Sequence, residues 1–343
     1  MDNLIKSINT HLNRKAVDEE ILPLLPNHSY KALPFSPSRF RSFQESGGTG
    51  RTLAFIDGGQ AELLSTPSLS VGVIRAVARA YNGMKRAFSM TTEFYACISP
   101  SPLKNDVTYA TELFPLRGNV LPDTNLLSFA STDGSIRSGV RRASPSALLS
   151  VARRFAELEL AMAAAGKLSA GDLIVLDGSL QQGYTHEEQL LGALRQSSLE
   201  KGIMAVGVSK TNSLLSTSGL TFGSMLSPHH PHEQWWYAPV ALPSDGAPHI
   251  SFARLHQKSS GAFLVESFAE PDEPLFASLA AYSHDPVFLG YPYGLVEADR
   301  AARVSNQDAS YLRTKLAEKL GRRDITALLS QKNAHEVLDS IRF

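Results

Sequence analysis

Two apolar segments of this chain each lead into an aspartate that is followed by a glycine. Residues 53–56 precede Asp57, and residues 173–176 precede Asp177. Short apolar runs of this kind predict buried strands, and a glycine directly after them favours a tight turn. Two such strands lying side by side would place both carboxylates around one point. Paired carboxylates are costly unless a positive group lies between them, most simply a divalent metal ion.

A helix predicted over residues 145–165 carries two glutamates on opposite faces. At about 100° per residue, Glu159 lies roughly 20° from Leu148, within the predicted apolar stripe. Glu157 lies roughly 180° from Leu148, on the predicted solvent face near Arg153. A buried glutamate needs a cation, so the pattern favours Glu159 as a third carboxylate of the site, with Glu157 as the alternative. An irregular helix, in which Glu159 simply reaches solvent at an edge, also fits the pattern.

A second acidic residue falls on an apolar helix face near the C-terminus. In the helix predicted over residues 295–304, Asp299 lies within about 40° of Leu295. An ion pair of Asp299 with Arg300 or Arg303 is the alternative interpretation. Carboxylates without cysteine favour Mn²⁺ or Mg²⁺, and a pair of such ions suits phosphodiester hydrolysis. The predicted ligands of two such ions are Asp57, Glu159, Asp177 and Asp299.

The remaining pattern predicts an α/β fold with a mixed sheet flanked by helices. We expect a helical arm at residues 4–25 and a connector at 34–42, which together form an N-terminal segment 1–45 before a main domain 46–343. The predicted strands are residues 51–57, 88–98, 107–114, 173–177, 203–208, 235–237, 250–256 and 262–268. The predicted helices are residues 73–81, 145–165, 187–200, 295–304, 308–320 and 324–332.

Composition limits the functional classes. The 343 residues include 33 Lys plus Arg and 33 Asp plus Glu, so an overall basic coat for nucleic acid is excluded, although local basic patches are not. Cys97 is the single cysteine, which excludes an intrachain disulfide and a cysteine zinc site. The sequence carries no secretory pattern and no apolar segment of membrane-spanning length, so we expect a cytoplasmic protein and no membrane partner.

In their order and spacing, the motifs resemble those of NurA-type nucleases, the DNA-end-processing enzymes that work with a HerA-type hexameric translocase. Each motif is weak alone, and the ordered set is specific. The matching segments are Phe55-Ile56-Asp57-Gly58-Gly59, Arg75 with Tyr81, residues 153–159, residues 172–180, Gly207-Val208-Ser209-Lys210, residues 290–295 and Ala298-Asp299.

The resemblance implies a ribonuclease-H-like core and Mn²⁺-dependent cleavage of DNA by a homodimer that passes strands through its centre. It further implies a 5′–3′ exonuclease acting on linear ends during end resection and double-strand-break repair, with a single strand in the active site. By position, Asp57 and Asp177 match metal-binding aspartates of the family, and Lys210 and Tyr291 match further residues near the site. Many members have histidine where this chain has Asp299, which puts the metal preference in question.

Several features keep a plainer interpretation. Lys210 is either a phosphate ligand or an ordinary lysine at a strand end, and Tyr291 lies in a sequence that is also a good turn. Residues 235–237 could stack on bases, but packing in the core or in a dimer is favoured. The N-terminal arm could dock onto the translocase or a second protomer, or pack on its own domain. The arginines that could contact phosphate are Arg137, Arg141, Arg142, Arg153 and Arg154, and the histidines that resemble a metal tract are His229, His230 and His232.

Two other functions compete with a nuclease. An ATPase of the actin and sugar-kinase type also places Asp-Gly turns around Mg-phosphate, but the chain lacks a late glycine-rich motif for adenosine. A non-catalytic interaction subunit built on the nuclease fold is the third possibility, and the intact acids argue against it.

Overall fold

The computed structural model describes residues 1–12, 20–25, 28–44, 50–103, 106–210, 214–244 and 246–329. The strands within these ranges are β1 Tyr30–Ala32, β2 Phe40–Arg41, β3 Thr52–Thr66, β4 Leu69–Asn82, β5 Lys85–Leu103, β6 Asp106–Arg117, β7 Phe129–Ala130, β8 Leu173–Asp177, β9 Met204–Ser209, β10 Trp235–Tyr237, β11 Ala241–Pro243, β12 His249–Arg254 and β13 Phe263–Ser267. The α-helices are α1 Asp2–Leu12, α2 Ala147–Ala165, α3 Glu187–Lys201, α4 Phe222–Leu226, α5 Glu273–Ala280, α6 Tyr293–Ala302 and α7 Asn306–Leu329.

One large mixed sheet organises the chain. Among the described residues its order is β2-β10-β12-β13-β9-β8-β3-β4-β5-β6-β7. Strands β3 to β6 form an antiparallel meander, whereas β8 runs parallel to both β3 and β9. The predicted α/β fold with a mixed sheet flanked by helices is therefore confirmed. Its central strands β3 and β8 are the two acid-bearing segments that the sequence predicts to be neighbours.

The helix predicted over residues 73–81 is wrong, because this segment belongs to strand β4. Ile74 and Ala78 pack into the core that contains α2, whereas Val73 packs with Ala309 of α7 and Tyr81 with the core that contains α6. Burial on both faces removes the alternation of polar and apolar residues that usually identifies a strand. The β-branched residues of the segment favour the strand that forms.

The first acid-bearing strand is also longer than predicted. The sequence predicts a turn after residues 51–57, but β3 continues through Asp57 as far as Thr66. Asp57 therefore lies within a strand, opposite Val77 of β4. Asp177, by contrast, ends β8 as predicted, and Gly178 follows it with a positive φ of 113°.

The chain ends differ from the sequence pattern in detail. Helix α1 covers the start of the predicted arm, residues 20–25 are not helical, and the predicted helical positions 13–19 lie outside the described residues. The two C-terminal helices predicted at 308–320 and 324–332 form one helix, α7, as far as Leu329, and residues 330–332 lie outside the described part. None of the helices in the described ranges has the length and apolar character needed to cross a membrane.

The aromatic run at residues 235–237 forms β10 and is buried in the core, as the favoured interpretation predicts. Trp235 and Tyr237 are fully buried, and Trp236 stacks on Phe276 of α5 with ring centroids 4.6 Å apart. These rings therefore stabilise the layer between the sheet and its helices.

Candidate active site

Asp57 and Asp177 lie on adjacent parallel strands. Ile56 of β3 pairs with Leu176 of β8, so the next residue of each strand is an aspartate at the same level of the sheet. Asp57 is 6% exposed, and its charge interacts with that of Asp177. The central geometric prediction from the sequence, two aspartates meeting on neighbouring strands, is confirmed.

The surroundings of Asp57 strongly disfavour its ionised form. Burial makes the largest contribution to the raised pKa, followed by the negative charges of Asp177 and Glu157. A hydrogen bond of 2.7 Å from the Gly58 N–H and the positive charge of Lys210 offset these effects in part. The net result is a pKa of about 8 for Asp57, because burial and the two carboxylates outweigh the hydrogen bond and Lys210. A perturbation of this size is typical of functional sites.

Glu157 is the third carboxylate of this cluster. It is 3% exposed, and Arg153 donates to its Oε1 from 2.6 Å. Burial raises the pKa of Glu157, although the charges of Arg153 and Arg154 oppose the shift. A Cβ atom on Gly58 would lie 2.5 Å from Glu157 Oε1, so the glycine permits helix α2 to press this side chain against β3. Gly58 thus serves a close approach and not the predicted turn.

Glu159, the residue that the helical pattern favours, lies away from the cluster. It is half-buried, and the acid whose charge adds to its raised pKa, after burial, is Asp123 and not Asp57 or Asp177. The predicted faces of α2 are wrong because the helix packs against β3 and β4 as well as against α3. A second apolar stripe covers the side predicted to face solvent. Its buried members are Leu160, Ala161 and Ala164.

Lys210 and Tyr291 both contact Asp177, as residues of the same site should. Lys210 Nζ lies 2.5 Å from Asp177 Oδ2, and the Tyr291 hydroxyl donates to Oδ1 over 2.8 Å. Burial alone would lower the pKa of Lys210, but Asp177, Asp57 and Asp299 raise it. Burial and the charge of Asp177 raise the pKa of Tyr291, so this hydroxyl remains a donor.

Asp299 lies at the exposed edge of the site. Its charge acts on Lys210 and on Tyr291, so helix α6 does bring it to the cluster. Its side chain is nevertheless 43% exposed, and Arg303 Nη2 lies 3.8 Å from its Oδ2. The two interpretations of Asp299 from the sequence, a site carboxylate and an ion-pair partner, are therefore compatible.

Two buried glutamates that the sequence analysis missed hold the loop that follows Asp177. Glu187 Oε1 accepts from Arg154 Nε over 2.7 Å, and its Oε2 accepts from the Gly183 N–H over 2.7 Å. Glu266 Oε2 accepts from the Leu180 N–H over 2.6 Å. The signal for Glu187 is an acid in the first turn of a helix after a glycine-containing loop, and for Glu266 an acid within an apolar strand.

The arginines noted in the sequence fall into two groups, inside and outside the site. Arg153 and Arg154 belong to the site through Glu157 and Glu187, whereas Arg142 pairs with Asp106, and Arg137 and Arg141 are exposed. The histidine tract noted in the sequence makes local contacts with backbone carbonyls. His229 Nδ1 lies 2.9 Å from the carbonyl oxygen of Met225, and His230 Nδ1 lies 2.6 Å from that of His232.

The donor set fits hard divalent cations, although no three acidic, histidine or cysteine side chains of the described residues already enclose one. Arg153 donates a hydrogen bond to Glu157, and Lys210 and Tyr291 donate hydrogen bonds to Asp177. The surroundings of Asp57 favour a cation: burial and two neighbouring carboxylates raise its pKa, and a divalent ion would relieve the repulsion among these charges.

Comparison with known proteins identifies the family. The family model for the NurA domain matches residues 51–304, which include all of the site described above. The chain belongs to the NurA family. Membership of this family supports a nuclease, and the resemblance noted in the sequence is confirmed. A search of curated proteins found no match.

Three solved structures resemble this chain. The crystal structure of the NurA nuclease from Sulfolobus solfataricus superposes with a TM-score of 0.51 at 14% identity, over 93% of this chain and 94% of that one. A second NurA crystal structure gives a TM-score of 0.47 at 9% identity, over 94% and 97% of the two chains. The catalytic domain of human Endonuclease V gives 0.38 at 13% identity, over 92% and 96%. The first of these establishes a shared fold across nearly the whole NurA chain.

Proposed function

We propose that this NurA-family protein is a metal-dependent deoxyribonuclease that hydrolyses phosphodiester bonds at DNA ends. The observation that carries the proposal is the cluster of Asp57, Glu157 and Asp177, delivered by three separate elements, in which burial and the two neighbouring carboxylates raise the pKa of Asp57 to about 8. Such a cluster is costly to fold, and this cost is reasonable where a divalent cation binds.

Two Mn²⁺ or Mg²⁺ ions would be held by Asp57, Asp177 and Glu157, with Asp299 at the exposed edge. When bound, the ions would activate a water molecule and stabilise the leaving oxygen. Glu157 takes the place that the helical pattern predicts for Glu159, because it is the glutamate beside Asp57.

Two further side chains would assist the carboxylates, one by orienting Asp177 and one by binding the phosphate. Tyr291 fixes the Asp177 carboxylate through its hydroxyl, and its position next to that carboxylate makes it a positioning residue. Lys210 keeps its positive charge between Asp177, Asp57 and Asp299, and we expect it to bind the scissile phosphate once the carboxylates are shared with cations.

The experiment is degradation of end-labelled linear DNA by the purified chain with Mn²⁺, alone and with a HerA-type translocase. Asp57→Asn and Asp177→Asn should abolish degradation, and Glu159→Gln serves as the matched control on the same helix as Glu157. Full activity of either aspartate variant would refute the metal site. ATP hydrolysis by the isolated chain would favour the actin-type alternative, and lack of any nuclease activity with the partner would favour the interaction subunit.

The finer aspects of the proposal follow the family resemblance. We propose action with a HerA-type hexamer in end resection and double-strand-break repair, 5′–3′ polarity, a homodimer, and a single strand at the active site. Labelling opposite ends of the same DNA tests the polarity, and sedimentation of the purified chain tests the dimer.

A further inference from the structure

A loop beside the candidate site carries two exposed apolar side chains. This loop, residues 281–292, connects α5 to α6, and Val287 and Phe288 within it are 84% and 37% exposed. The Phe288 ring stacks on the Tyr291 ring, with centroids 5.0 Å apart and an interplanar angle of 22°. Because the Tyr291 hydroxyl donates to Asp177, one aromatic ring separates the exposed face of Phe288 from a proposed metal ligand.

Hydrogen bonds within the loop fix the position of Phe288. Its N–H donates to the Asp285 carbonyl over 3.1 Å, and its own carbonyl accepts from the Tyr291 N–H over 3.1 Å. Gly290, with a φ of 89°, donates to the Ser283 carbonyl over 2.9 Å. An exposed aromatic ring held in this way loses little conformational freedom when a ligand stacks on it.

Groups that can carry positive charge lie within this loop or beside it. The Lys210 ammonium is 5.2 Å from the centroid of the Tyr291 ring. His284 belongs to the same loop, and its ring contacts that of His256 at 5.1 Å, next to Lys258. Flat apolar faces interleaved with cationic groups are the combination that binds single-stranded nucleic acid, in which every base offers a π-face and every linkage a negative charge.

We propose that Phe288, with Val287 beside it, is a stacking platform for a base of single-stranded DNA next to the cleaved linkage. Stacking there would hold the strand while its phosphate reaches Lys210 and the carboxylates. This inference rests on the proposed nuclease function, because it takes the same carboxylate cluster as the reacting centre. It adds a substrate-binding residue that contacts the base and not the phosphate.

The test measures binding separately from hydrolysis. The full chain is titrated, in EDTA, into single-stranded DNA of about ten nucleotides carrying the fluorescent base 2-aminopurine at successive positions. We expect quenching at one position for the wild type, and about tenfold weaker binding with loss of that quenching for Phe288→Ala. Phe288→Trp should restore both. Phe114→Ala is the matched control, since Phe114 of β6 is a phenylalanine that is 49% exposed.

A second comparison separates stacking from mere support of Tyr291. Phe288→Leu keeps an apolar side chain against Tyr291 but removes the aromatic face, so it should bind as weakly as Phe288→Ala. An abasic nucleotide at the quenched position should remove the difference between wild type and Phe288→Ala. Equal loss with the abasic strand, or wild-type binding by Phe288→Leu, would overturn the proposal.

Other outcomes separate this inference from the proposed function. A change in sedimentation of Phe288→Ala without a change in DNA binding would show that the loop contacts protein and would overturn the stacking role. Quenching at one position of the strand by a protein that never hydrolyses DNA would support the stacking platform and refute the nuclease function. Hydrolysis that depends on Asp57 but is unaffected by Phe288→Ala, with unchanged DNA binding, would do the reverse.

Discussion

Asp57 and Asp177 occupy matching positions on neighbouring parallel strands, but their surroundings differ. The Asp177 carboxylate receives a hydrogen bond from the Tyr291 hydroxyl and pairs with the Lys210 ammonium. Asp57 receives a hydrogen bond from the N–H of its neighbour Gly58, while burial and two nearby carboxylates raise its pKa to about 8. Asp57 is therefore the carboxylate that gains most from a cation.

The two glycines differ in the same way. Gly178 has a φ of 113°, and a Cβ added to it would meet no atom within 4 Å, so this glycine is required for its backbone conformation. A Cβ added to Gly58 would lie 2.5 Å from Glu157, so that glycine is required for space. The same dipeptide serves a turn at one strand end and a close contact inside the other strand.

The largest expected effect tests whether both aspartates serve one reaction despite these differences. Asp57→Asn and Asp177→Asn should each lower Mn²⁺-dependent hydrolysis of linear DNA by at least about 10³-fold, since each removes a charged ligand worth several kcal/mol in the transition state. Initial rates at saturating Mn²⁺ provide the measurement. A large loss for one variant and a small loss for the other would mean that the site does not act as a pair.

The next effect tests which glutamate completes the pair. Glu157→Gln should lower the hydrolysis rate about 10²-fold, because Glu157 lies buried beside Asp57, whereas Glu159→Gln should stay within about twofold. Both substitutions keep the shape of the side chain and both lie on α2, so melting temperatures measured alongside the rates control for folding. The opposite ranking would return the assignment to Glu159.

A third prediction concerns stability, where the two aspartates should behave differently. Folding raises the pKa of Asp57 from 3.8 to about 8, so the folded state binds the proton more tightly than the unfolded state. The resulting stabilisation is present at low pH and is lost as the pH rises toward about 8. In EDTA at pH 8, Asp57→Asn should therefore be more stable than wild type, by about 2 kcal/mol.

Urea unfolding at pH 5 and pH 8 measures this difference, and Asp177→Asn is the control. Because Asp177 already has Lys210 and Tyr291 as partners, its replacement should not stabilise the protein at pH 8. If Asp57→Asn proves no more stable than wild type at pH 8, burial and the neighbouring carboxylates do not destabilise the ionised form of Asp57 as inferred.

The sequence predicts those strands of the sheet whose buried residues form a single short apolar run. Short apolar runs locate strand β8 and the start of strand β3. The aspartate that follows each run predicts that these two strands are neighbours. Strand β4 is not located in this way, since its two faces are both covered and its apolar residues then fit helical spacing by coincidence.

The prediction of the buried face of helix α2 is wrong for a related reason. The predicted position of Glu159 depends on a single apolar stripe, but this helix lies between the sheet and α3 and is buried nearly all round. Which of its two glutamates meets Asp57 depends on the rotation of the helix, which tertiary packing sets. The Glu157 contact with Gly58 involves residues far apart in the chain, and local periodicity carries no information about it.

The smallest expected effect isolates the support that Asp177 has and Asp57 lacks. Tyr291→Phe removes the hydroxyl that donates to Asp177 Oδ1 and leaves the buried ring in place. A group that orients a metal ligand contributes about tenfold to metal affinity, so half-maximal activity should need about tenfold more Mn²⁺, with a similar rate at saturation. Tyr293→Phe, a partly buried tyrosine two residues along the chain, is the matched control and should leave the Mn²⁺ requirement unchanged. An unaltered Mn²⁺ requirement in Tyr291→Phe would show that the hydroxyl does not position Asp177, and the contrast between the two aspartates would then rest on Lys210 alone.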